Sequence, residues 1–308
     1  MNGWCTRLPR TVKGRADSLG EAGLKWLQSL DEVIARLEKQ WGITVVDVLE
    51  GGSAAFVGLS KDNLGKECIL KIALPNDPPD RYRLCVNALR AANGKGYCQL
   101  YADDISSRAI LIERLGPRLS QSGLPPEKQM EILCNALKEI WSSPVDPLHR
   151  LDAQNKHSGF SSFIQDNWCK LNPPFSQKIV DKALCYAENL QLRTDPAKYV
   201  NVHGDAHNNN MLLIPGTQEY KFIDPDGLIF EKSYDVGVLM REWPEAFEGN
   251  ALDAGMKRCR YLSCLTGVEE KDIWEWGFLQ MTTTALVLIS IGQPELGYQM
   301  LGIAEKWC

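Results

Sequence analysis

The stretch that decides the fold of this chain reads His203-Gly204-Asp205-Ala206-His207-Asn208-Asn209-Asn210, and a second stretch, Phe222-Ile223-Asp224-Pro225-Asp226, follows it closely. Asp205 stands five residues before Asn210, and Asp224 comes fourteen residues after Asn210. The residues between Asn210 and Asp224 predict a β-hairpin that turns on a Pro-Gly-Thr sequence. Such a hairpin would return Asp224 to the neighbourhood of Asn210.

These three oxygen-bearing side chains suit the transfer of a phosphoryl group. That reaction needs a carboxylate near the attacking hydroxyl and oxygen ligands for magnesium. We expect Asp205 to be the catalytic base and Asn210 and Asp224 to bind Mg²⁺. The same spacing, Asp and Asn five apart and a second Asp on the next turn, occurs in the protein-kinase template.

The motif H-G-D-x-x-x-x-N with I-D-P resembles the aminoglycoside phosphotransferase and choline kinase superfamily. Residues 201–243 are most similar to its streptomycin and hydroxyurea phosphotransferase branch, through the sequences IDPDGL and SYDVGVLMREW. The resemblance extends more loosely from about residue 43 to the end. It implies a protein-kinase-like bilobal fold and a cytoplasmic enzyme that moves the γ-phosphate of ATP, with Mg²⁺, to a hydroxyl of a small molecule.

The family's roles transfer to Asp205 as base and to Asn210 and Asp224 as metal ligands, whereas His203 and His207 are expected to be scaffold. A metal hydrolase is the alternative, because His203, Asp205 and His207 could form a ligand cluster. In a purely structural explanation, Asp205 only caps a turn and Asn210 only starts a strand. That explanation must also account for the presence of Asp224 at the spacing expected for a kinase.

The order of predicted elements indicates an α+β protein with a small β-rich N-terminal lobe, residues 1–116, and a larger helical C-terminal lobe, residues 117–308. An amphipathic helix at residues 17–41 opens the chain. The other predicted elements are strands at Ile43–Leu49, Ala54–Leu59, Glu67–Ala73, Gly96–Tyr101, Ala109–Leu115, Asn210–Ile214 and Tyr220–Ile223, and helices at Asp80–Ala92, 126–142, 159–170, 176–192 and within 233–306.

A nucleotide site is predicted in the first lobe. Gly51, Gly52 and Ser53 lie in a turn whose backbone N–H groups could bind phosphate, although an ordinary hairpin turn explains them as well. Lys71 is a single charge in an apolar strand, like the kinase lysine that contacts the α- and β-phosphates. The alternative for Lys71 is a surface position on an edge strand.

Residues 110–115 resemble the hinge strand of kinases, which implies that backbone groups from Glu113 to Leu115 bind adenine. An ordinary core strand fits the same letters. The helix after Lys71 lacks the glutamate that normally pairs with the kinase lysine, and Asp80 is the nearest acid. Asp80 substitutes for it, or Lys71 is held differently, or the protein is a weakened, nucleotide-binding pseudokinase-like module.

The acceptor site is predicted from charge. Residues 226–280 carry 11 acidic and six basic side chains, which favours a cationic acceptor such as an aminoglycoside. Asp226, Glu242 and Glu245 are the candidates for binding it. The spacing of the two glutamates is more typical of a water-facing helix. A housekeeping metabolite kinase is as plausible as a resistance enzyme, and the sequence leaves ATP against GTP open.

Charge and composition exclude other classes. A net charge of −5 and a pI near 5.5 argue against a nucleic-acid partner. Ten cysteines without a C-x-x-C pair suggest reduced thiols in the cytoplasm. The uncharged run at residues 276–294 predicts a buried core helix and not a membrane span. We expect no secretory signal and a mature chain that starts at Met1; the oligomeric state is left open.

Overall fold

The computed structural model describes residues 3–50, 52, 54–75, 79–145, 156–171 and 175–308. Its N-terminal lobe is built on a five-stranded antiparallel sheet with the strand order β1-β2-β3-β5-β4. The strands are β1 (Ile43–Val48), β2 (Ala55–Asp62), β3 (Glu67–Ala73), β4 (Leu100–Asp104) and β5 (Ala109–Glu113).

The central strand β3 is covered on both faces, which explains its nearly continuous apolar sequence. Cys68, Leu70 and Ile72 belong to one core, together with the helix that precedes the sheet. Ile69 points to the opposite face and joins the main core of the protein. Because side chains alternate along a strand, Lys71 lies on the same face as Ile69, towards the helical lobe.

Three helices precede the sheet, where the sequence predicted only one. They are α1 (Trp4–Arg7), α2 (Arg10–Ser18) and α3 (Glu21–Trp41). The predicted helix at residues 17–41 was therefore wrong at its start. Gly20 adopts φ 60°, a left-handed value that glycine tolerates and a helix interior does not, so the chain turns between α2 and α3. The buried face of α3, with Leu30, Ile34 and Leu37, then packs on the sheet.

The remaining helices form the C-terminal lobe, apart from α4, which lies between β3 and β4. Helix α10 is central, because it packs against five neighbours: α6, α7, α8, α9 and α11. The α+β prediction is confirmed. The bounds are α4 (Pro79–Ala92), α5 (Pro126–Trp141), α6 (Lys156–Lys170), α7 (Gln177–Arg193), α8 (Lys232–Arg241), α9 (Ala251–Thr266), α10 (Glu270–Ser290) and α11 (Pro294–Trp307).

The uncharged run at residues 276–294 lies in α10 as far as Ser290, and its first part, to Leu286, is buried as the sequence predicts; its second part is not a core segment, because Val287 and Ile291 are exposed. Trp276 itself is fully buried and packs edge-on against Phe230 and Tyr234. Among the described residues, none of the helices has the length and apolarity needed to cross a membrane.

Four three-residue strands shape the region around the H-G-D sequence. Strands β7 (Met211–Leu213) and β8 (Tyr220–Phe222) form the predicted hairpin. Strands β6 (Val200–Val202) and β9 (Leu228–Phe230) pair with each other and were not predicted. The strand predicted at 96–101 begins only at Leu100. Cys98 instead donates its N–H to the Phe222 carbonyl at 2.9 Å, which ties the N-terminal lobe to the hairpin.

Candidate active site

A buried carboxylate holds the turn that carries Asp205. Asp235, on α8, is fully buried and accepts the backbone N–H groups of His203 at 2.9 Å and Gly204 at 2.8 Å. The Trp141 indole N–H donates to the same side chain at 2.9 Å. Gly204 has φ 92°, and a Cβ there would lie 2.6 Å from Asp226, so only glycine fits this turn.

His203 connects the turn to the segment that carries Asp224. Its Nδ1 accepts the Asp205 N–H at 3.1 Å, so Nε2 bears the proton and donates to the Ile223 carbonyl at 3.0 Å. Burial lowers the pKa of His203 and outweighs the nearby Asp235 charge. A neutral ring bonded at both nitrogens is not available to a metal, which removes one ligand from the metal-hydrolase alternative.

The Asp205 carboxylate has a donor on each oxygen. Arg241 Nη2 donates to Oδ1 at 2.5 Å, and His207 Nε2 lies 3.2 Å from Oδ2. His207 Nδ1 accepts the Asn209 N–H at 3.2 Å, so Nε2 is its protonated nitrogen. Burial raises the pKa of Asp205, but the His207 hydrogen bond and the Arg241 charge outweigh it and hold the pKa well below its usual range. The side chain is 44% exposed, so an ionised carboxylate stays open to a ligand.

Asn210 connects the turn that carries Asp205 with the segment that carries Asp224. The Asn210 side-chain NH₂ donates to the Asp205 carbonyl at 3.1 Å, and among the described residues its amide oxygen accepts no hydrogen bond, so it can act as a ligand. The Ile223 N–H donates to the Asn210 carbonyl at 2.8 Å, and Asp224 follows in a left-handed conformation with φ 58°. An amide oxygen and a carboxylate are hard oxygen ligands, so this pair fits magnesium.

Lys71 pairs with Asp224, which lies 153 residues further along the chain. Burial lowers the pKa of Lys71, but the charge and hydrogen bond of Asp224 outweigh it and the pKa is raised. The partner of Lys71 in the described part of the chain is therefore an acid that follows β8 and not an acid of α4. The side chain of Asp80 lies outside the described residues.

A cavity of about 750 Å³ opens between the sheet and the hairpin. Charged and polar side chains, among them Lys71, Asn210 and Asp224, form part of its lining. Its apolar lining comes from both lobes and includes Leu49, Ala55, Val57, Ile69, Ile112, Leu115, Leu212 and Ile223. The predicted phosphate-binding Gly52 lines the cavity, whereas Gly51 and Ser53 lie outside the described residues.

The predicted hinge residues line the same cavity. Lys221 donates to the Glu113 carboxylate at 2.8 Å and the Gln99 N–H donates to it at 2.9 Å, so this side chain is fixed away from adenine recognition. The Leu115 carbonyl accepts a hydrogen bond from Arg114 at 2.6 Å. In the described part of the chain, the Leu115 N–H makes no hydrogen bond and can serve as a donor in the cavity.

The three acceptor candidates differ in their surroundings. Asp226 packs against the H-G-D turn, where its N–H donates to the His203 carbonyl at 2.8 Å. Glu242 lies 3.7 Å from Arg241 Nε, and Glu245 is exposed. Burial lowers the pKa of Arg258 to about 10, and Glu242 and Glu245 act against that shift. The two glutamates therefore face at least one buried arginine.

Sequence reasoning missed Asp235 and Arg241, the two residues of α8 that hold the H-G-D turn. Both stand in the quoted sequence SYDVGVLMREW, where they look like ordinary charges on a helix. The sequence alone does not show that these two side chains are buried. An acid that follows a tyrosine inside an otherwise apolar helix was the one available signal.

An antiparallel sheet, a helical lobe and a charged cleft between them define a protein-kinase-like bilobal fold. The model of the aminoglycoside/hydroxyurea antibiotic resistance kinase family matches residues 41–285, and the chain belongs to that family. It is a phosphotransferase with an alcohol group as acceptor. Streptomycin 6-kinase of Streptomyces griseus is 25% identical over 240 residues, which cover 78% of this chain and 72% of that kinase.

Two solved structures show the same fold. Choline kinase from Streptococcus pneumoniae has a TM-score of 0.60 and 14% identity, covering 90% of this chain and 99% of its own. The AMP-bound complex of spectinomycin phosphotransferase has a TM-score of 0.59 and 13% identity, covering 90% of this chain and 97% of its own. Both likenesses concern the fold alone.

Proposed function

We propose that this protein transfers the γ-phosphate of ATP, with Mg²⁺, to a hydroxyl group of a small cationic molecule in the cytoplasm. One observation carries the proposal. Asn210 links the other two residues, because its side-chain NH₂ donates to the Asp205 carbonyl and its own carbonyl accepts the N–H of Ile223, next to Asp224; Lys71 pairs with Asp224 from the opposite lobe.

The nucleotide fits the cavity between the lobes. Its apolar lining suits adenine, with the Leu115 N–H as donor, and its charged and polar lining residues suit phosphates. Lys71 would contact the α- and β-phosphates, and the backbone around Gly52 would cover them. The AMP-bound spectinomycin phosphotransferase, which shares the fold, supports nucleotide use.

Asn210 and Asp224 would hold the magnesium ion. When bound, the ion neutralises charge on the phosphates and orients them. In this structure Lys71 forms an ion pair with Asp224. When nucleotide and metal bind, the metal ion would become the partner of Asp224 and the phosphates would become the partners of Lys71. Such an exchange keeps the carboxylate and the lysine compensated in both states.

Asp205 would orient the acceptor hydroxyl and take its proton. Phosphoryl transfer asks little covalent chemistry of the protein, so position counts for more than basicity. The lowered pKa keeps Asp205 ionised, and its exposure leaves room for the hydroxyl near Oδ2.

A cationic acceptor of the aminoglycoside type is supported by the family and by the acidic balance of residues 226–280, with Asp226, Glu242 and Glu245 as the candidates for binding it. A housekeeping metabolite kinase would use the same site. A nucleotide-binding pseudokinase-like module is the second candidate, because Lys71 pairs with Asp224 and α4 carries no glutamate in its sequence.

A screen for acceptors tests the proposal. The purified protein is incubated with Mg-ATP and with aminoglycosides, choline-like amines, sugars or hydroxyurea, and ADP release is followed. We expect at least one cationic hydroxyl compound to raise ADP release well above the acceptor-free rate. Nucleotide binding without turnover on any compound would favour the pseudokinase-like module, and turnover on neutral sugars alone would refute the cationic acceptor.

A further inference from the structure

The contacts of Arg241 indicate that this residue has a function in the candidate site. It is the last residue of α8, and its side chain is only 13% exposed. Its guanidinium group makes hydrogen bonds in two directions. Nη2 donates to Asp205 Oδ1 at 2.5 Å, while Nη1 donates to Gln280 Oε1 at 2.9 Å and to Thr284 Oγ1 at 2.7 Å.

The two anchors come from one rigid element. Gln280 and Thr284 are four residues apart on α10, so they lie on the same face of the central helix. A guanidinium group has a planar, fixed arrangement of donors, so two bonds to α10 determine where the third donor points. Arg241 thus fixes the position of the Asp205 carboxylate relative to α10.

Asp205 needs such support because it lies on a turn, outside any helix or strand, and is 44% exposed. A carboxylate in that setting can rotate among several rotamers. Arg241 engages only Oδ1, and each carboxylate oxygen can accept two hydrogen bonds. An acceptor hydroxyl can therefore bind Oδ2 beside His207 without displacing the arginine.

We propose, on the basis of the function proposed above, that Arg241 is a positioning residue that fixes the Asp205 carboxylate for the acceptor hydroxyl, with Gln280 and Thr284 as its anchors. Displacement of a reacting group by about 1 Å can cost about a hundredfold in rate. Loss of the guanidinium group should lower kcat by about that factor. The KM for ATP should change by less than about threefold, since the nucleotide cavity has no lining from α8 or α10.

A double-mutant cycle separates positioning from a general structural effect. The kcat is measured for the wild type, Arg241→Met, Asp205→Asn and the double variant. We expect Arg241→Met to lower kcat about a hundredfold when Asp205 is present and less than about threefold in the Asp205→Asn background. Equal losses in both backgrounds, or a wild-type kcat for Arg241→Met, would overturn the proposal.

Two further variants guard against misfolding of Arg241→Met. Arg241→Lys should recover part of kcat, because an ammonium group reaches Asp205 but cannot keep both anchors. Thr284→Val is nearly isosteric and should lower kcat several-fold with ATP KM unchanged. If neither variant changes kcat, Arg241 has no positioning role.

Arg193→Met is the matched control. Arg193 pairs with Asp272 at 2.7 Å and Glu275 at 2.5 Å, and Asp272 lies about 12 Å before Gln280 along α10. This variant should lose stability without loss of kcat.

Absence of transfer by the wild type would refute the proposed function instead. The Asp205 rotamer in crystals of the wild type and Arg241→Met would then decide positioning: one fixed rotamer only in the wild type supports it, and the same rotamer in both overturns it.

Discussion

Replacement of Asp235 by alanine should unfold the protein at a much lower urea concentration. The change leaves three buried donors, the His203 and Gly204 N–H groups and the Trp141 indole, without their acceptor. Each unsatisfied buried donor costs about 1–3 kcal/mol, and neighbouring losses are not additive. We therefore expect a total loss of about 3–5 kcal/mol, a large part of a typical folding free energy of about 5–15 kcal/mol.

Urea denaturation followed by tryptophan fluorescence measures this loss. With a denaturant slope of about 3 kcal/mol per molar, the midpoint should fall by about 1 M or more. Asp253→Ala is the matched control, because Asp253 is half-exposed and pairs with Lys257 one helical turn away. That pair contributes about 0.3–0.5 kcal/mol, so its midpoint should hardly move. Equal midpoints for the two variants would refute the reasoning that Asp235 holds the H-G-D turn.

Three other predictions concern the ligands. Asp224→Ala should weaken Mg-ATP binding in calorimetric titration more than Asn210→Ala, because a carboxylate is the stronger magnesium ligand; unimpaired affinity in both variants would contradict the metal assignment. Lys71→Met should raise the KM for ATP about tenfold or more through loss of phosphate contacts, and an unchanged KM would place Lys71 outside the nucleotide site. Glu242→Gln/Glu245→Gln should raise the acceptor KM at low salt only, with ATP KM constant; an unchanged acceptor KM would leave the two glutamates as partners of buried arginine.

Local sequence determined the parts of the fold that depend on local periodicity. Strand β3 matches its predicted bounds, Glu67–Ala73, because Glu67 is followed by an apolar run that only Lys71 interrupts. The β7–β8 hairpin was predicted because its turn contains Pro215-Gly216. The pairing of β6 with β9 was not, since three-residue strands carry no readable period and their partners lie far apart in sequence.

The candidate site likewise contains residues that the sequence predicted and residues that it did not. The proximity of Asn210 to the Asp205 turn and to the segment of Asp224 was predictable, because a short spacing and a hairpin determine it. The partner of Lys71 could not, because the pair with Asp224 spans 153 residues and depends on how the lobes meet. Asp235 and Arg241 escaped notice because a charge buried by tertiary packing has the same letter as one in solvent.

The most direct test of the central claim compares the wild type with Asp205→Asn on the acceptor that the screen identifies. ADP release and the phosphorylated product, detected by mass spectrometry, are measured together, with Asp253→Asn as a control for an ordinary exposed carboxylate. We predict that Asp205→Asn lowers transfer by at least about a hundredfold while Mg-ATP still binds, and that the control transfers at the wild-type rate. Wild-type turnover by a folded Asp205→Asn protein would contradict the assignment of Asp205 as the catalytic base.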